Sequence, residues 1–342
     1  MRPPARRQNL RRAGRVTWGM TPYETPRRRG AAARLRPPRG GVVAALAVLT
    51  ALVLVAHPWL PGGPGSGNPR SLVQTFLPWT ALAVPVLLAA ALLRRSRGAL
   101  AAVLLPTLAW GWAYGAALGD GSRGGPADLT VVTHNVDDAN PDPAGTARAV
   151  AASGAQLIAL QELTPPALGA YERELAASHP HHVVRGTVGL WSTFPLRDAD
   201  GTPIVPWRLL LRATADTPKG PVTVYVAHLP SVRLGSGGFA TGNRDEAARN
   251  LAARLREGPD GRTLLVGDFN ATTADSVLAP VTRDFTAAQE EAGAGFGLSW
   301  PARFPVARID QILLRGGLAP VSAWTLPATA SDHLPVAASL RY

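Results

Sequence analysis

The sequence predicts a layered α/β sandwich preceded by three transmembrane helices, and three observations predict it. Three apolar stretches of 20 to 22 residues follow one another in the first third of the chain. Beyond them, short β-branched runs alternate with helical ones, the pattern of a layered α/β domain. Polar residues recur just past the β-branched runs, where α/β sheets place their ligands.

Residues 1–40 are rich in Arg and Pro and carry no apolar periodicity, so they read as a disordered basic cytoplasmic arm. Their prolines, and the apolar stretches that follow, argue against a mitochondrial presequence. Those stretches occupy residues 41–60, 72–93 and 99–118. Each reaches the roughly 20 residues that a helix rising 1.5 Å per residue needs to cross hydrocarbon. Pro78, Pro85 and Pro106 would damage soluble helices but are tolerated in membrane ones. Trp59, Trp79, Trp110, Trp112 and Tyr114 suit interfacial belts.

The loops set the orientation. Twelve Arg precede the first span, and Arg94, Arg95 and Arg97 lie between the second and third, whereas the loop between the first and second has only Arg70. The positive-inside rule puts the N-terminus and the second loop in the cytoplasm. Three spans then carry residues from about 120 onward to the extracytoplasmic side of the cell membrane. Residues 119–127, GDGSRGGPA, read as a flexible linker.

From residue 128 to 342, strands are expected at 129–133, 156–160, 222–228, 263–267, 308–314 and 334–340. Helices are expected at 144–153 and 244–256, the second with Ala247, Ala248, Leu251, Ala252 and Leu255 on one face.

Charge narrows the partners. The whole chain is +12, but residues 1–40 hold +11 and residues 41–98 hold +4, leaving −3 for residues 99–342. The catalytic half thus lacks the basic footprint of a nucleic-acid protein. With no cysteine, disulfides, Cys-ligated zinc and thiol catalysis are excluded. No GxSxG elbow is present either, which removes the support for a serine hydrolase.

The strand ends collect a coherent inventory. THNV places Asn135, QE places Glu162, VAHL ends the run at His228, GDFN supplies Asp268 and Asn270, RIDQIL supplies Asp310, and SDHLPV supplies Asp332 and His333. Singly, each residue reads as a turn former, a cap or a core histidine. Together they offer oxygen ligands for a hard cation, Mg²⁺ or Mn²⁺, with Glu162 and Asp332 as carboxylates and Asn135 as a neutral oxygen. Two imidazoles and further carboxylates remain for proton transfer. Asp137–Asp138 reads as a solvated loop pair, His134 as packing, and His179, His181 and His182 as a surface turn entering a strand. Ser192, in GLWSTFPL, reads as part of a core strand.

In these motifs the domain resembles the endonuclease/exonuclease/phosphatase superfamily, whose fold is the DNase I-like four-layer α/β sandwich. GDFN and the terminal SDH-x-P-V are its most specific features. The resemblance implies that Asn135 and Glu162 bind the metal and phosphate region, with Asp332 near the metal; Asp137 also matches a position that some members use near the metal. It implies that His228 stabilises or protonates phosphoryl oxygens, Asp268 orients or activates the attacking water, Asn270 holds the phosphate, and Asp310 orients His333, which completes the electrophilic or acid–base set. A nearer resemblance, carried by the Arg-rich arm, the three spans and Trp300–Pro301 before RID, is to actinobacterial membrane members, some associated with teicoplanin resistance. It implies a cell-envelope substrate such as a polyprenyl pyrophosphate. Gln311 stands where His or Tyr is expected after RID, and is read as tuning the pocket edge.

The sequence therefore supports a membrane-anchored, metal-dependent hydrolase of phosphate esters or anhydrides, working against the lipid bilayer on a lipid-linked phosphate. An extracellular surface nuclease is the rival enzyme, disfavoured by the acidic domain. A non-catalytic membrane scaffold is disfavoured because all the reactive residue types are in place.

Overall fold

The computed structural model describes residues 40–63 and 67–342; the basic arm lies outside the described residues. Three helical segments, Gly41–Trp59, Pro69–Leu93 and Arg97–Leu118, are long and apolar enough to cross a membrane. The first contains α1 (Gly41–Ala56), the second α2 (Pro69–Phe76) and α3 (Ala83–Leu93), the third α4 (Arg97–Tyr114). Val43, Ala47, Leu87, Ala91, Ala99 and Val103 meet between α1, α3 and α4, with small residues letting the backbones approach. Their outer faces expose Leu49, Leu52, Val86, Leu104 and Leu108, a surface suited to hydrocarbon rather than water.

The second segment departs from the expected span. Its first part, α2, buries Ser71, Gln74 and Thr75 against the C-terminal domain. The apolar length that remains is the 3-10 stretch Leu77–Leu82, in which Thr80 is the polar residue, and α3. The linker is not free either. The Gly121 and Arg123 amides donate to the carbonyls of Gly293 and Val321, and Arg123 pairs with Glu291. Glycines chosen for flexibility here serve close approach: a Cβ on Gly121 would lie 2.9 Å from the Gly293 oxygen.

The domain contains β1 (Leu129–Asn135), α5 (Pro143–Ala151), β2 (Leu157–Gln161), α6 (Pro165–Leu175), β3 (His181–Arg185), β4 (Val188–Ser192), β5 (Leu196–Val205), β6 (Arg208–Thr217) and β7 (Gly220–His228). After the small hairpin β8 (Arg233–Gly235) and β9 (Gly238–Ala240) come α7 (Gly242–Glu257), β10 (Thr263–Asp268), α8 (Ala279–Thr282), β11 (Thr286–Ala287), α9 (Ala288–Ala292), β12 (Asp310–Arg315), β13 (Ala319–Thr325) and β14 (Val336–Arg341). Two six-stranded sheets form, ordered β13-β14-β1-β2-β4-β3 and β11-β12-β10-β7-β6-β5.

Alternation along each strand builds the layers. Val131, Leu157 and Ala159 point between the sheets, where they meet Val224, Val226, Leu264 and Val266. The intervening Val132, Ile158 and Leu160 face α5 and α6. Tyr225, Ala227 and Leu265 face Ala247, Ala248, Leu251 and Leu255 of α7. The result is helix, sheet, sheet, helix, the four-layer DNase I-like sandwich. Strands buried on both faces explain why β1, β2, β7 and β10 read as continuous apolar runs.

Candidate active site

Backbone pairing sets the site before any side chain acts. β7 and β10 run parallel, and β12 is antiparallel to β10, so Asp268 lies directly between His228 and Asp310. In the other sheet β1 and β2 run parallel, with Asn135 opposite Gln161 and Glu162 one residue beyond. The two sheets end at the same edge, and the Asn135 amide donates to Asp268 Oδ2 across the gap at 3.1 Å.

Two site residues occupy the left-handed region: Glu162 at φ +63° and Asn270 at φ +47°. Such conformations cost on the order of 1 kcal/mol or more and persist only where surroundings enforce them. Asp138 N–H donates to Glu162 Oε2 at 3.1 Å. Asn270 donates its backbone N–H to Asp268 Oδ1 at 2.8 Å and its amide to Asp268 Oδ2 at 3.1 Å and the Leu229 carbonyl at 2.9 Å. Just before them, Gly267 sits at φ +139°, where a Cβ would lie 1.9 Å from the Ala227 oxygen. Only glycine fits between these two strands.

Asp268 is the centre. Burial pushes its carboxyl up to about 7, with the Asp310 charge adding and the His333 imidazole and the Asn270 and Asn135 hydrogen bonds opposing. His333 donates or accepts at Nδ1 with Asp310 Oδ2 at 2.9 Å, and its Nε2 stands 3.9 Å from Asp268 Oδ2. Burial alone would favour the neutral His333 ring. The charge and hydrogen bond of Asp310, joined by Asp268 and Asp332, override it and raise His333 to about 10. Its Nδ1 therefore donates to Asp310.

His228 is the opposite case. Burial holds its ring well below the ordinary value, and Arg208 and His333 add to this. Its Nε2 lies 3.5 Å from Glu162 Oε1 and 3.7 Å from Asp268 Oδ2. With the ring neutral, these contacts are not ion pairs. One imidazole is thus charged and one neutral within a few ångströms, the kind of divergence that marks sites of proton chemistry.

The eight residues singled out from the motifs form one connected web. Asp332 is its outlying member: its side chain is about half exposed, lies 3.8 Å from His333 Nε2 and accepts from the Trp300 indole at 3.1 Å. Several supports escaped sequence reading. Ser331 Oγ donates to the Asn135 carbonyl at 2.7 Å and accepts from His333 N–H at 3.0 Å, so it ties the terminal loop to β1. Asp137 and Asp138, read as a solvated pair although Asp137 matches a family position near the metal, stand with Glu162 so that one oxygen of each lies within 4.8 Å of the others. Asp137 itself is at φ +65° and donates its N–H to Asn135 Oδ1.

Other residues fall outside the site. His134 is fully buried, bonds Thr329 at 2.9 Å, and is held down to about 3 by burial. His179 is buried against the Ala155 carbonyl rather than on a surface turn, while His182 stacks on Trp191. Ser192 is buried in β4. Gln311 is buried beside Asp310 on β12. Its buried amide donates to the Arg308 and Ala271 carbonyls, bracing two loops.

Among solved structures the chain is similar to D. rerio TDP2 complexed with single-strand DNA product, at 18% identity and a TM-score of 0.53, over 63% of this chain and 99% of that one. It is equally similar to the Bacteroides thetaiotaomicron mannosyl-6-phosphatase, at 17% identity and a TM-score of 0.53, over 63% of this chain and 100% of that one. These identities show the fold alone. No curated protein matches in sequence. The model of the Endonuclease/Exonuclease/phosphatase family, however, matches residues 132–333, from β1 to the His333 loop and more than half of the chain. With that span, the four layers and the web around Asp268, the chain belongs to the Endonuclease/Exonuclease/phosphatase family.

Proposed function

We propose that this protein is a membrane-anchored phosphohydrolase, dependent on Mg²⁺ or Mn²⁺, that cleaves a phosphoester or pyrophosphate of a lipid-linked envelope substrate on the extracytoplasmic side. The observation that carries the reaction class is the geometry around Asp268, a buried carboxyl held by two amide side chains, with the His228 and His333 imidazoles 3.7 and 3.9 Å away.

The donor set fits a hard divalent cation. Glu162 is partly exposed, Asn135 supplies a neutral oxygen, and Asp137 and Asp138 crowd carboxylates beside Glu162. Asn135 and Glu162 would hold the ion, with Asp332 approaching from the far rim. When bound, it would neutralise charge developing on the phosphoryl oxygens. Asp268 would take the proton of the attacking water, its near-neutral pKa matching that task. Asn270 and Asn135 fix the carboxylate that does so. His333, kept charged by Asp310, would present Nε2–H to a phosphoryl oxygen, and neutral His228 would donate a second hydrogen bond.

The lipid-linked substrate is supported by where the rim sits. The Trp79 indole, at the end of an apolar segment, donates to the Val306 carbonyl at 2.8 Å. Val306 belongs to the same loop as Trp300, which holds Asp332. A cavity of about 570 Å³ lies at this junction, between Pro78, Ala113, Ala117 and Phe296 on its apolar walls and Thr272 and Arg308 of the domain. A nuclease would share the site, but residues 99–342 are net acidic and carry no surplus of positive charge for a polyanion.

The deciding experiment is a panel run on the full chain in nanodiscs, with Mg²⁺ and with EDTA. Phosphate release from a polyprenyl pyrophosphate, faster than nicking of DNA and abolished by EDTA, is expected. No turnover of any phosphoester with any divalent metal would sink the reading.

A further inference from the structure

The junction between the membrane segment and the domain is built from buried polar side chains, and it ends on Asn270. Arg244, near the start of α7, is entirely buried. Its Nε and Nη2 donate to Asp245 Oδ1 at 3.0 and 2.7 Å, and Nη2 also reaches Ser71 Oγ of α2 at 3.1 Å. Its Nη1 pairs with Asp275 Oδ2 at 2.9 Å and donates to the Asn270 carbonyl at 3.1 Å. One guanidinium thus faces two carboxylates and the backbone of a strained site residue.

What completes this arrangement comes from the membrane segment. The Ser71 hydroxyl donates to Asp275, and the Asn68 amide donates to Thr241 at 2.7 Å and Asp245 at 3.4 Å. Gln74 spans the next turn, accepting from Ser276 N–H at 2.9 Å and donating to Ser276 Oγ at 2.7 Å. Remove α2 and its cap, and Asp275 loses the Ser71 hydroxyl, Asp245 loses the Asn68 amide and the guanidinium opens to water. Buried charge networks are costly when partly satisfied. The Asn270 carbonyl contact is then the one left to a loosened partner.

We propose that Arg244 is a positioning residue, which holds Asn270 in its left-handed conformation only while α2 is docked. Asn270 in turn fixes Asp268 through two hydrogen bonds, so the anchor is part of the active site rather than a tether. The inference rests on the hydrolase reading for its catalytic consequence, but not for its structural one.

The test uses the full chain in nanodiscs and a water-soluble chromogenic phosphoester with Mg²⁺. Arg244→Gln is expected to lower kcat roughly 10- to 100-fold, the scale of a misplaced catalytic group, with KM changed far less. In an Asn270→Ala background the same substitution is expected to cost clearly less than in the wild type, because the amide bond to Asp268 is already gone and only the backbone N–H bond is left for Arg244 to support. Ser71→Ala, which removes only a hydroxyl, is expected to act in the same direction with a smaller loss. Amide exchange over residues 269–271 is expected to quicken in both Arg244→Gln and Ser71→Ala. Losses that multiply in the double variant, or unchanged exchange at 269–271, would overturn the proposal. If Arg244→Gln fails to fold, Ser71→Ala decides by the same two readouts. If the wild type turns over no phosphoester, the hydrolase reading falls and exchange alone decides this one.

Discussion

Replacing Asp310 with Asn removes one charge from the centre of the site while keeping the shape of the side chain. In the native protein His333 is raised from 6.5 to about 10, with Asp310 as the leading raising influence at 2.9 Å. At 1.36 kcal/mol per unit, that rise is worth about 5 kcal/mol in favour of the imidazolium. Burial works against the charged ring, so without Asp310 the pKa should fall to 6.5 or below. At pH 8 a pKa of 6.5 leaves only about 3% of rings charged, a loss of roughly 30-fold from protonation alone. Misorientation of the ring adds to this, for a total of roughly 10²- to 10³-fold in kcat. The sign follows from which form is active. Rate needs charged His333 and is lost as pH rises through its pKa, near 10 in the wild type. Rate also needs ionised Asp268 and is lost as pH falls through about 7. The Asp310→Asn acid limb should move little, because losing a raising carboxylate and losing a lowering imidazolium offset each other. The assay is kcat against pH on a soluble phosphoester with Mg²⁺, on protein whose folding is checked by circular dichroism. An alkaline limb still near 10, or kcat within threefold of wild type at pH 8, would refute the assignment of His333 as a charged group.

Three other outcomes follow from the same geometry. Gly267→Ala should destabilise by at least about 3 kcal/mol, because its Cβ meets the Ala227 oxygen at 1.9 Å; at 2–4 °C per kcal/mol, thermal melting should drop by roughly 6–12 °C, and an unchanged melt would show that the strands can part. Ala117→Trp, which fills the junction cavity lined by Ala113, Pro78 and Phe296, should raise KM for a long-chain lipid phosphate about 10-fold while a short soluble phosphate is unaffected; equal effects on both would remove the cavity from substrate binding. The chain has no cysteine, so single Asp260→Cys and Arg97→Cys variants can report sidedness in intact cells: a membrane-impermeant maleimide should label the first and not the second, and the reverse pattern would invert the orientation.

The chemistry was more legible than the scaffold. Asn135, Asp268 and His333 sit in short motifs at strand ends, where a two-residue period and a turn fix direction, so composition and order sufficed to collect them. β1, β2, β7 and β10 announced themselves as runs buried on both faces. β5 did not: LRDADGTPIV is charged and partly exposed along an edge, and its strand state comes from pairing with β6 rather than from its own pattern. α6 was hidden behind Pro165 and Pro166, which open a helix only when the first turn needs no amide donors. Asp137 and Asp138 looked like a solvated pair because nothing local says that Glu162, from the next strand, turns back through positive φ to meet them.

The hardest feature to read was the division of the second apolar stretch, and it alters how the protein works. By hydropathy, residues 72–93 form one span. Ser71, Gln74 and Thr75 lie at the spacing of one helix face, yet that face has meaning only opposite Arg244, Asp275 and Ser276, about 170 to 200 residues later in the chain. No local rule anticipates a buried guanidinium there, since Arg244 opens an expected amphipathic helix whose apolar face is carried by Ala247, Ala248, Leu251, Ala252 and Leu255. Once placed, it joins a span to the carbonyl of Asn270 by two side-chain contacts. A fragment beginning at residue 128 would keep every motif residue and both sheets. It would also expose Asp245, Asp275 and Arg244 without Asn68 and Ser71, and so lose the support of the left-handed turn that aligns Asp268. On the proposal above, the apolar helical segments and the site form one unit, and α2 belongs in any account of how the carboxylate is held.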